Sequence, residues 1–133
     1  MKKATLHSDG GARGNPGPAG IGYVLRVEDS EAVFHGEYIG ETTNNQAEYT
    51  ALIMGLKRAW ADGISNLKCF LDSELVVKQL QGSYKVKNEG LKPLFVQVQE
   101  LAGKFAEISY SHVSRDKNKE ADKLVNGAID KHT

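Results

Sequence analysis

Near its N-terminus the chain reads Ser8-Asp9-Gly10-Gly11-Ala12-Arg13-Gly14-Asn15-Pro16-Gly17. A strand-like run precedes this segment at 4–7, and a second one follows it at 21–27. An acidic residue at a strand end, followed by glycines, brings a carboxylate and unobstructed backbone N–H groups to one ligand, because glycine has no side chain to block a close approach. Three further acids, Glu48, Asp72 and Asp122, are placed to join Asp9. The pattern predicts one cluster of four carboxylates.

The bulk composition indicates one domain over residues 1–133. Of these residues, 40% are hydrophobic, and 17 basic residues balance 17 acidic ones, which suits a compact protein with a buried core. No apolar run is long enough to span a bilayer, and the start lacks the apolar stretch of a signal peptide. Cys69 is the only cysteine, so no internal disulfide forms. We therefore expect a cytoplasmic protein without a membrane partner.

The order of predicted elements indicates an α/β fold. Three opening strands that run as a meander, followed by helical crossovers, imply a mixed sheet with helices on its faces. In such sheets ligands gather at the carboxyl ends of strands. Asp9 and Asp72 both end strands, so their carboxylates converge if those strands are parallel neighbours. The predicted strands are 4–8, 21–27, 32–39, 67–71 and 107–113; segments 10–20 and 114–117 are loops; helices begin near 43, 74, 91 and 118.

The helix that carries Glu48 is predicted from a capping-box pattern, Thr43 followed three residues later by Gln46. Glu48 and Trp60 fall on one helical row, which we expect to pack on the sheet. Glu48 has an alternative interpretation as a first-turn residue favoured by the helix dipole. Asp72 likewise has an alternative role as the N-cap of the next helix.

Clustered carboxylates repel one another unless a cation lies between them. Hard oxygen ligands favour Mg²⁺ or Mn²⁺ over Zn²⁺. Two such ions, about 3.5–4 Å apart, activate a water molecule and stabilise the leaving oxygen in phosphodiester displacement. The alternative is four unrelated surface acids, each capping a local element. Spacing alone does not decide between the two.

Four segments of the sequence resemble type 1 ribonuclease H. They hold the four acids in order together with their flanking residues, and the first two segments are the most specific. The resemblance covers nearly the whole chain. The segments are 8–18, Thr42-Thr43-Asn44-Asn45-Gln46-Ala47-Glu48, Leu71-Asp72-Ser73 and Asn118-Lys119-Glu120-Ala121-Asp122.

The resemblance implies a five-stranded mixed sheet, with three antiparallel strands, then two parallel ones, and helices on both faces. It implies an endonuclease that hydrolyses the RNA strand of RNA/DNA hybrids with two Mg²⁺ ions, leaving 5′-phosphate and 3′-hydroxyl ends. Mn²⁺ would substitute, and we expect a monomer. By the same resemblance Asp9 bridges the two metals, and Glu48, Asp72 and Asp122 complete the ligand set. Glu48 also lies near the ribose 2′-hydroxyl.

The resemblance also implies a set of substrate contacts. The 2′-hydroxyl distinguishes RNA from DNA in the shallow minor groove, where asparagine side chains and bare loop amides can bind it. Thr43, Asn88 and Tyr84 match positions that hold the DNA strand; their alternative roles are a helix cap, a turn residue and a core-edge aromatic. The residues expected to line the groove are Gly10, Gly11, Ala12, Arg13, Asn15, Asn44, Asn45 and Ser73.

The sequence departs from the family pattern at three places. Glu41 stands where many members have a basic residue. The segment 81–90 is too short for the basic helical protrusion of well-studied bacterial members. Arg115 stands in the loop where many members place a histidine that assists product release. Arg115 either substitutes for that histidine or is a solvated charge. His112 and His7 lie on strands, and their orientation decides whether they reach the site.

Three competing functions remain at this point. A non-enzymatic hybrid-binding module is disfavoured because all four acids are present. A transposase or integrase core normally uses three acids with other flanking residues. A ribonuclease domain of a larger polymerase is disfavoured by a chain that runs from Met1 to Thr133.

Overall fold

The computed structural model describes residues 2–132. Its strands are β1 (Lys2–Ala12), β2 (Gly17–Val27), β3 (Val33–Thr42), β4 (Ile64–Leu71) and β5 (Glu107–His112). Its helices are α1 (Asn44–Ala61), α2 (Glu74–Leu80), α3 (Lys92–Ala102) and α4 (Lys119–His132), with a 3₁₀ helix at Arg115–Asn118.

The five strands form one mixed sheet in the order β3-β2-β1-β4-β5. β1 pairs antiparallel with β2, and β2 with β3, whereas β4 runs parallel to both β1 and β5. The predicted α/β fold is therefore confirmed. β1 and β4 are parallel neighbours with Ser8 opposite Leu71. The residues that follow Ser8 and Leu71, which are Asp9 and Asp72, therefore lie side by side.

β1 extends further than the sequence suggested. The prediction of a strand at 4–8 and a loop from Gly10 was wrong, since Gly10 and Ala12 still pair with Ile21 and Ala19 of β2. Glycine inside a strand often marks a place where another backbone approaches closely. A Cβ at Gly10 would lie 2.2 Å from the carbonyl of Ala47 in α1. The strand therefore continues through its pairing with β2, and glycine at position 10 leaves room for α1.

Helices cover both faces of the sheet. A Cβ at Gly55 of α1 would lie 2.8 Å from the Leu6 side chain, which points to one face. A Cβ at Gly22 would lie 2.5 Å from the carbonyl oxygen of Ala121 in α4. Leu6 and Gly22 point to opposite faces of the sheet, because side chains alternate along each strand and paired residues share a face. The two helices α1 and α4 therefore lie on opposite sides of the sheet. The core between α1 and the sheet includes Leu6, Ile21, Leu25, Leu52, Leu56, Cys69 and Leu71, all with 0% exposure.

Two local predictions were wrong. Trp60 is 51% exposed, and the ammonium of Lys104 lies 4.4 Å from its ring centroid. Each step of four residues advances an α-helix by about 40°, so three steps turn Trp60 about 120° away from Glu48. The segment 114–117, predicted as a loop, is largely a 3₁₀ helix leading into α4. Among residues 2–132, no helix combines the length and apolarity needed to cross a membrane.

Candidate active site

The four predicted acids come from four different elements. Asp9 lies in β1, opposite Gly22 of β2, and Asp72 is the first residue after β4. Glu48 lies in α1 and Asp122 in α4, on the opposite face of the sheet. Parallel pairing of β1 with β4 brings Asp9, within β1, beside Asp72, which follows β4, and each helix adds one carboxylate from its own side.

Three of these acids converge closely. One carboxylate oxygen from each of Asp9, Glu48 and Asp72 lies within 4.8 Å of the others. Asp122 stands outside this group of three but lines the same cavity. Among residues 2–132, the observed ion pairs all involve other carboxylates. Within the described residues, the cluster therefore forms no ion pair with a lysine, arginine or histidine.

Glu48 is held at the cluster by the backbone. It is 7% exposed, and its Oε1 accepts a hydrogen bond from the N–H of Gly10 at 3.1 Å. Its Oε2 is buried and has no hydrogen-bond partner among the described residues. The alternative role of a first-turn residue does not hold, because the α1 N-terminus is capped by Thr43 and Gln46. The buried, half-satisfied carboxylate indicates a site for a cation.

The electrostatics of the cluster support the same conclusion. Burial, aided by the charges of Asp72 and Asp122 and opposed by the interaction with Glu48, raises the pKa of Asp9 to about 7. Burial and the adjacent Asp9 raise the pKa of Glu48 well above its ordinary value. Buried acids that resist ionisation are stabilised in their charged form by a bound cation.

The donor set fits a hard divalent cation. All the converging atoms are carboxylate oxygens, which Mg²⁺ and Mn²⁺ prefer and which would be unusual as the whole ligand set of Zn²⁺. Asp72 is free for this role because Ser73, not Asp72, caps α2: the Ser73 hydroxyl accepts from the N–H of Val76. The sequence left both roles of Asp72 open, and the structure separates them.

The acids lie in a cavity of about 350 Å³. Most of the predicted groove residues line it, and α4 adds three residues that the sequence analysis missed: Val125, Asn126 and Ile129. Their spacing from Asp122, three, four and seven positions, was the available signal, because such residues share one helix face. The predicted residues that line the cavity are Asp9, Gly10, Gly11, Ala12, Arg13, Asn44, Asn45, Glu48, Asp72, Ser73, Arg115 and Asp122.

Two asparagines hold the β1–β2 turn against the start of α1. Asn44 accepts a hydrogen bond through Oδ1 from the N–H of Ala12 at 2.7 Å. Asn15 accepts one through Oδ1 from the N–H of Asn44 at 3.0 Å. Asn15 does not itself line the cavity, but it orients Asn44, which does. The glycine-rich turn is thereby fixed next to the acids.

Besides Asn15, three predicted contact residues lie outside the cavity: Thr43, Tyr84 and Asn88. Gln46 connects the first and last of these. Its Oε1 accepts from the N–H of Thr43 at 3.4 Å, and its Nε2 donates to the carbonyl of Gly90 at 3.5 Å. The Gly90 N–H in turn donates to Asn88 Oδ1 at 2.7 Å. Thr43 and Asn88 therefore border one surface, while Tyr84 is exposed beside Lys78.

Two arginines border the acid cluster. Arg115, in the 3₁₀ helix, is exposed and lines the cavity. Arg13 also lines it, and its Nη1 lies 2.6 Å from Asp130 Oδ1 of α4. The two histidines whose orientation the sequence left open do not line the cavity: His7 stacks on Phe70, and His112 ends β5.

Comparison with known proteins shows what this chain is similar to. A family model described as "Reverse transcriptase-like" matches residues 7–128. A bifunctional protein of Mycobacterium tuberculosis is 45% identical over 130 residues, which cover 96% of this chain and 36% of that protein. A ribonuclease HI of Halobacterium salinarum is 44% identical over 123 residues, covering 92% of this chain and 62% of that protein.

Solved structures agree. A ribonuclease H1 in complex with an RNA/DNA hybrid superimposes with a TM-score of 0.91 at 44% identity, covering 97% of this chain and 98% of that one. The chain thus matches one solved structure over nearly its whole length, whereas it spans about a third of the mycobacterial protein, or 36%.

Proposed function

Since this chain belongs to the type 1 ribonuclease H family, we propose that its residues 1–133 act as one domain that hydrolyses the RNA strand of RNA/DNA hybrids. The observation that carries the proposal is the convergence of Asp9, Glu48 and Asp72 within 4.8 Å, with no ion pair to any of them in the described part of the protein. The related ribonuclease H1 that was solved with a hybrid supports the choice of substrate.

Asp9, Glu48, Asp72 and Asp122 would hold two Mg²⁺ ions, or Mn²⁺ in their place, with Asp9 shared between them. When bound, such ions lower the pKa of a water molecule and offset the charge that develops on the phosphate and the leaving oxygen. The buried position of Asp9 and Glu48 strengthens this electrostatic effect, because charges in a low-dielectric site interact more strongly. Asp122, which is less buried, completes the set from the α4 side.

The bond changes determine the ends of the products. A water oxygen forms a bond to phosphorus, and the bond between phosphorus and the 3′-oxygen breaks. The phosphate stays on the 5′-carbon of the downstream nucleotide, and the 3′-oxygen leaves with a proton. The products are a 5′-phosphate and a 3′-hydroxyl.

Selection of the RNA strand belongs to the residues around the β1–β2 turn. The Oδ1 of Asn44 is occupied by Ala12, so the Nδ2 of Asn44 is the atom that donates to a ligand. Asn45 lies beside it in the cavity. Amide groups of this kind bind 2′-hydroxyls in the minor groove. Gly10, Gly11, Ala12, Arg13, Asn15 and Ser73 shape the path of the strands around them.

The DNA strand follows the surface at the N-terminus of α1. The helix N-terminus favours an anion. Gln46 connects Thr43, at this end of the helix, with the segment of Asn88 through hydrogen bonds. We place a DNA phosphate there and a deoxyribose against Tyr84, whose exposed ring suits sugar contact. Arg115 attracts the 5′-phosphate of the product away from the acids and thereby assists its release.

Cleavage of a hybrid with a labelled RNA strand tests the proposal. The reaction is run with Mg²⁺, with Mn²⁺ and with EDTA, beside Asp9→Asn and the exposed-acid control Asp116→Asn. We expect metal-dependent cutting of the RNA strand alone, lost in Asp9→Asn and retained in Asp116→Asn. Sensitivity of the labelled ends to a phosphatase reports the 5′-phosphate.

The alternative function is a catalytically weak or inactive module that binds hybrids. Hybrid binding by the wild-type protein without cutting in any metal would favour that alternative. Cutting that survives Asp9→Asn would place the metal site elsewhere.

A further inference from the structure

Asn118 connects the strand of Asp9 with the helix of Asp122. It is the last residue of the 3₁₀ helix, and it is 1% exposed. Its Nδ2 donates a hydrogen bond to the backbone carbonyl of Ser8 at 3.0 Å, although 110 positions separate the two residues. Ser8 immediately precedes Asp9 and is the last β1 residue paired with β4.

The hydrogen bond of Asn118 bears on the acid cluster because Asn118 lies four positions before Asp122. Residues four apart lie on the same side of a helix, so the side chains of Asn118 and Asp122 both face β1. The first contacts Ser8, and the second lines the same cavity as the next residue, Asp9. A shift of α4 along its axis would move both contacts together.

The other polar ties of α4 to this side of the sheet include two exposed ion pairs, Arg26 with Glu120 and Arg13 with Asp130, and such pairs contribute little. The helix lies on glycines of the sheet: a Cβ at Gly22 would be 2.5 Å from the Ala121 carbonyl oxygen, and a Cβ at Gly36 would be 2.8 Å from that of Leu124. The side chains of Leu124, Val125 and Ile129 also lie against glycines of the sheet, but apolar contacts are non-directional. A hydrogen bond is directional and does define a position.

The cost of burying Asn118 supports a specific role. Its Oδ1 is buried without a hydrogen-bond partner among the described residues. Burying that oxygen without a partner is unfavourable, so the hydrogen bond made by Nδ2 has to account for an amide at this position. The role of the amide group is therefore to hold the start of α4 against the Ser8 carbonyl of β1.

We propose that Asn118 is a positioning residue: its hydrogen bond to the Ser8 carbonyl sets the register of α4 against β1 and so holds Asp122 beside the other three acids. This inference rests on the proposed metal-dependent function of the acid cluster. Asn118 touches neither the substrate nor the reacting atoms and acts only through the position of Asp122.

Calorimetric titration with Mn²⁺ tests the proposal without using cleavage as the readout. Asn118→Leu removes the donor at similar volume. Asn118→Asp keeps the shape and cannot donate, while its added negative charge would by itself favour a cation. Val98→Ala, which truncates a fully buried residue of α3 away from the cavity, controls for a general loss of stability.

We expect both Asn118 variants to bind Mn²⁺ about 10-fold more weakly or worse, the usual effect of losing an outer-shell partner, and Val98→Ala to keep the wild-type affinity. Metal-free crystal structures should show a longer separation between Asp9 and Asp122 in the Asn118 variants. Excess Mg²⁺ should partly restore their turnover, with KM for the hybrid unchanged.

Wild-type Mn²⁺ affinity in the Asn118 variants, or an unchanged separation between Asp9 and Asp122, would overturn the positioning role. If the wild type binds Mn²⁺ and the Asn118 variants bind it weakly, but no hybrid is cut, the positioning role stands and the proposed function fails. A wild-type protein that binds no Mn²⁺ would overturn both.

Discussion

The backbone N–H of Gly10 donates a hydrogen bond to Oε1 of Glu48 at 3.1 Å. This bond joins α1 to the residue that follows Asp9 in β1, so the two most buried acids of the cluster are held by one contact. It requires close approach of the two backbones, which only glycine at position 10 permits. The remaining oxygen of Glu48 is left without a partner among residues 2–132.

Substitution of Gly10 by alanine should disrupt this contact. The new Cβ would lie 2.2 Å from the Ala47 carbonyl, and backbone at that distance must move. We expect a loss of about 1–3 kcal/mol in the free energy of unfolding, typical of overpacking, together with loss of metal-dependent cleavage. Urea denaturation and the hybrid assay measure the two effects.

Gly127→Ala is the matched control for this substitution. Gly127 lies in α4, and a Cβ there meets nothing within 4 Å. Because alanine has the higher helix propensity, we expect unchanged or higher stability and normal cleavage. A Gly10→Ala variant as stable and active as Gly127→Ala would contradict the role of the Gly10–Glu48 contact.

The metal-free protein should lose stability as pH rises from about 4 to about 7. Burial raises the pKa of Asp9 from 3.8 to about 7. Between these values the folded state retains a proton that the unfolded state has released, so the free energy of unfolding falls with rising pH. Thermal unfolding in EDTA across this range measures the slope.

Asp9→Asn should flatten this slope and raise the stability of the metal-free protein at pH 7, because it removes a buried charge. Saturating Mg²⁺ should stabilise the wild type most at the alkaline end, where protons no longer compete for the carboxylates. A slope that is identical in the wild type and Asp9→Asn would show that Asp9 titrates normally.

Asn44→Ala should weaken hybrid binding more than catalysis. It removes the 2.7 Å hydrogen bond that fixes Ala12, and a hydrogen bond of this kind contributes about 0.5–1.5 kcal/mol. We expect a higher KM, a nearly unchanged kcat and a small loss of stability. Steady-state kinetics separates these effects. Asn66→Ala is the control, because Asn66 lies near the start of β4, at the other end of that strand from Asp72. A fall in kcat at unchanged KM would contradict the binding role.

Arg115→Ala should slow product release and not the chemical step. Arg115 lines the cavity and is exposed, which allows it to compete for the new 5′-phosphate. We expect the rate of the first turnover to be preserved and steady-state turnover to fall several-fold. Lys117→Ala, an exposed cation in the same 3₁₀ helix, should change neither rate. If Arg115→Ala slows the first turnover equally, Arg115 acts before release.

Local sequence patterns determined those parts of the protein that depend on neighbouring residues. The capping box of Thr43 and Gln46 and the placement of acids after two apolar runs were readable because they reflect backbone hydrogen bonding and strand alternation over a few residues. The parallel pairing of β1 and β4 then brought Asp9 and Asp72 together as expected.

Only the tertiary structure decided the features that depend on contacts between distant segments. The continuation of β1 through Gly10 depends on its pairing with β2, and the exposure of Trp60 follows from the turn of the helix away from the sheet. The tie between Asn118 and Ser8 spans 110 positions. Such features have no local signature, because their energies come from groups that folding alone brings into contact.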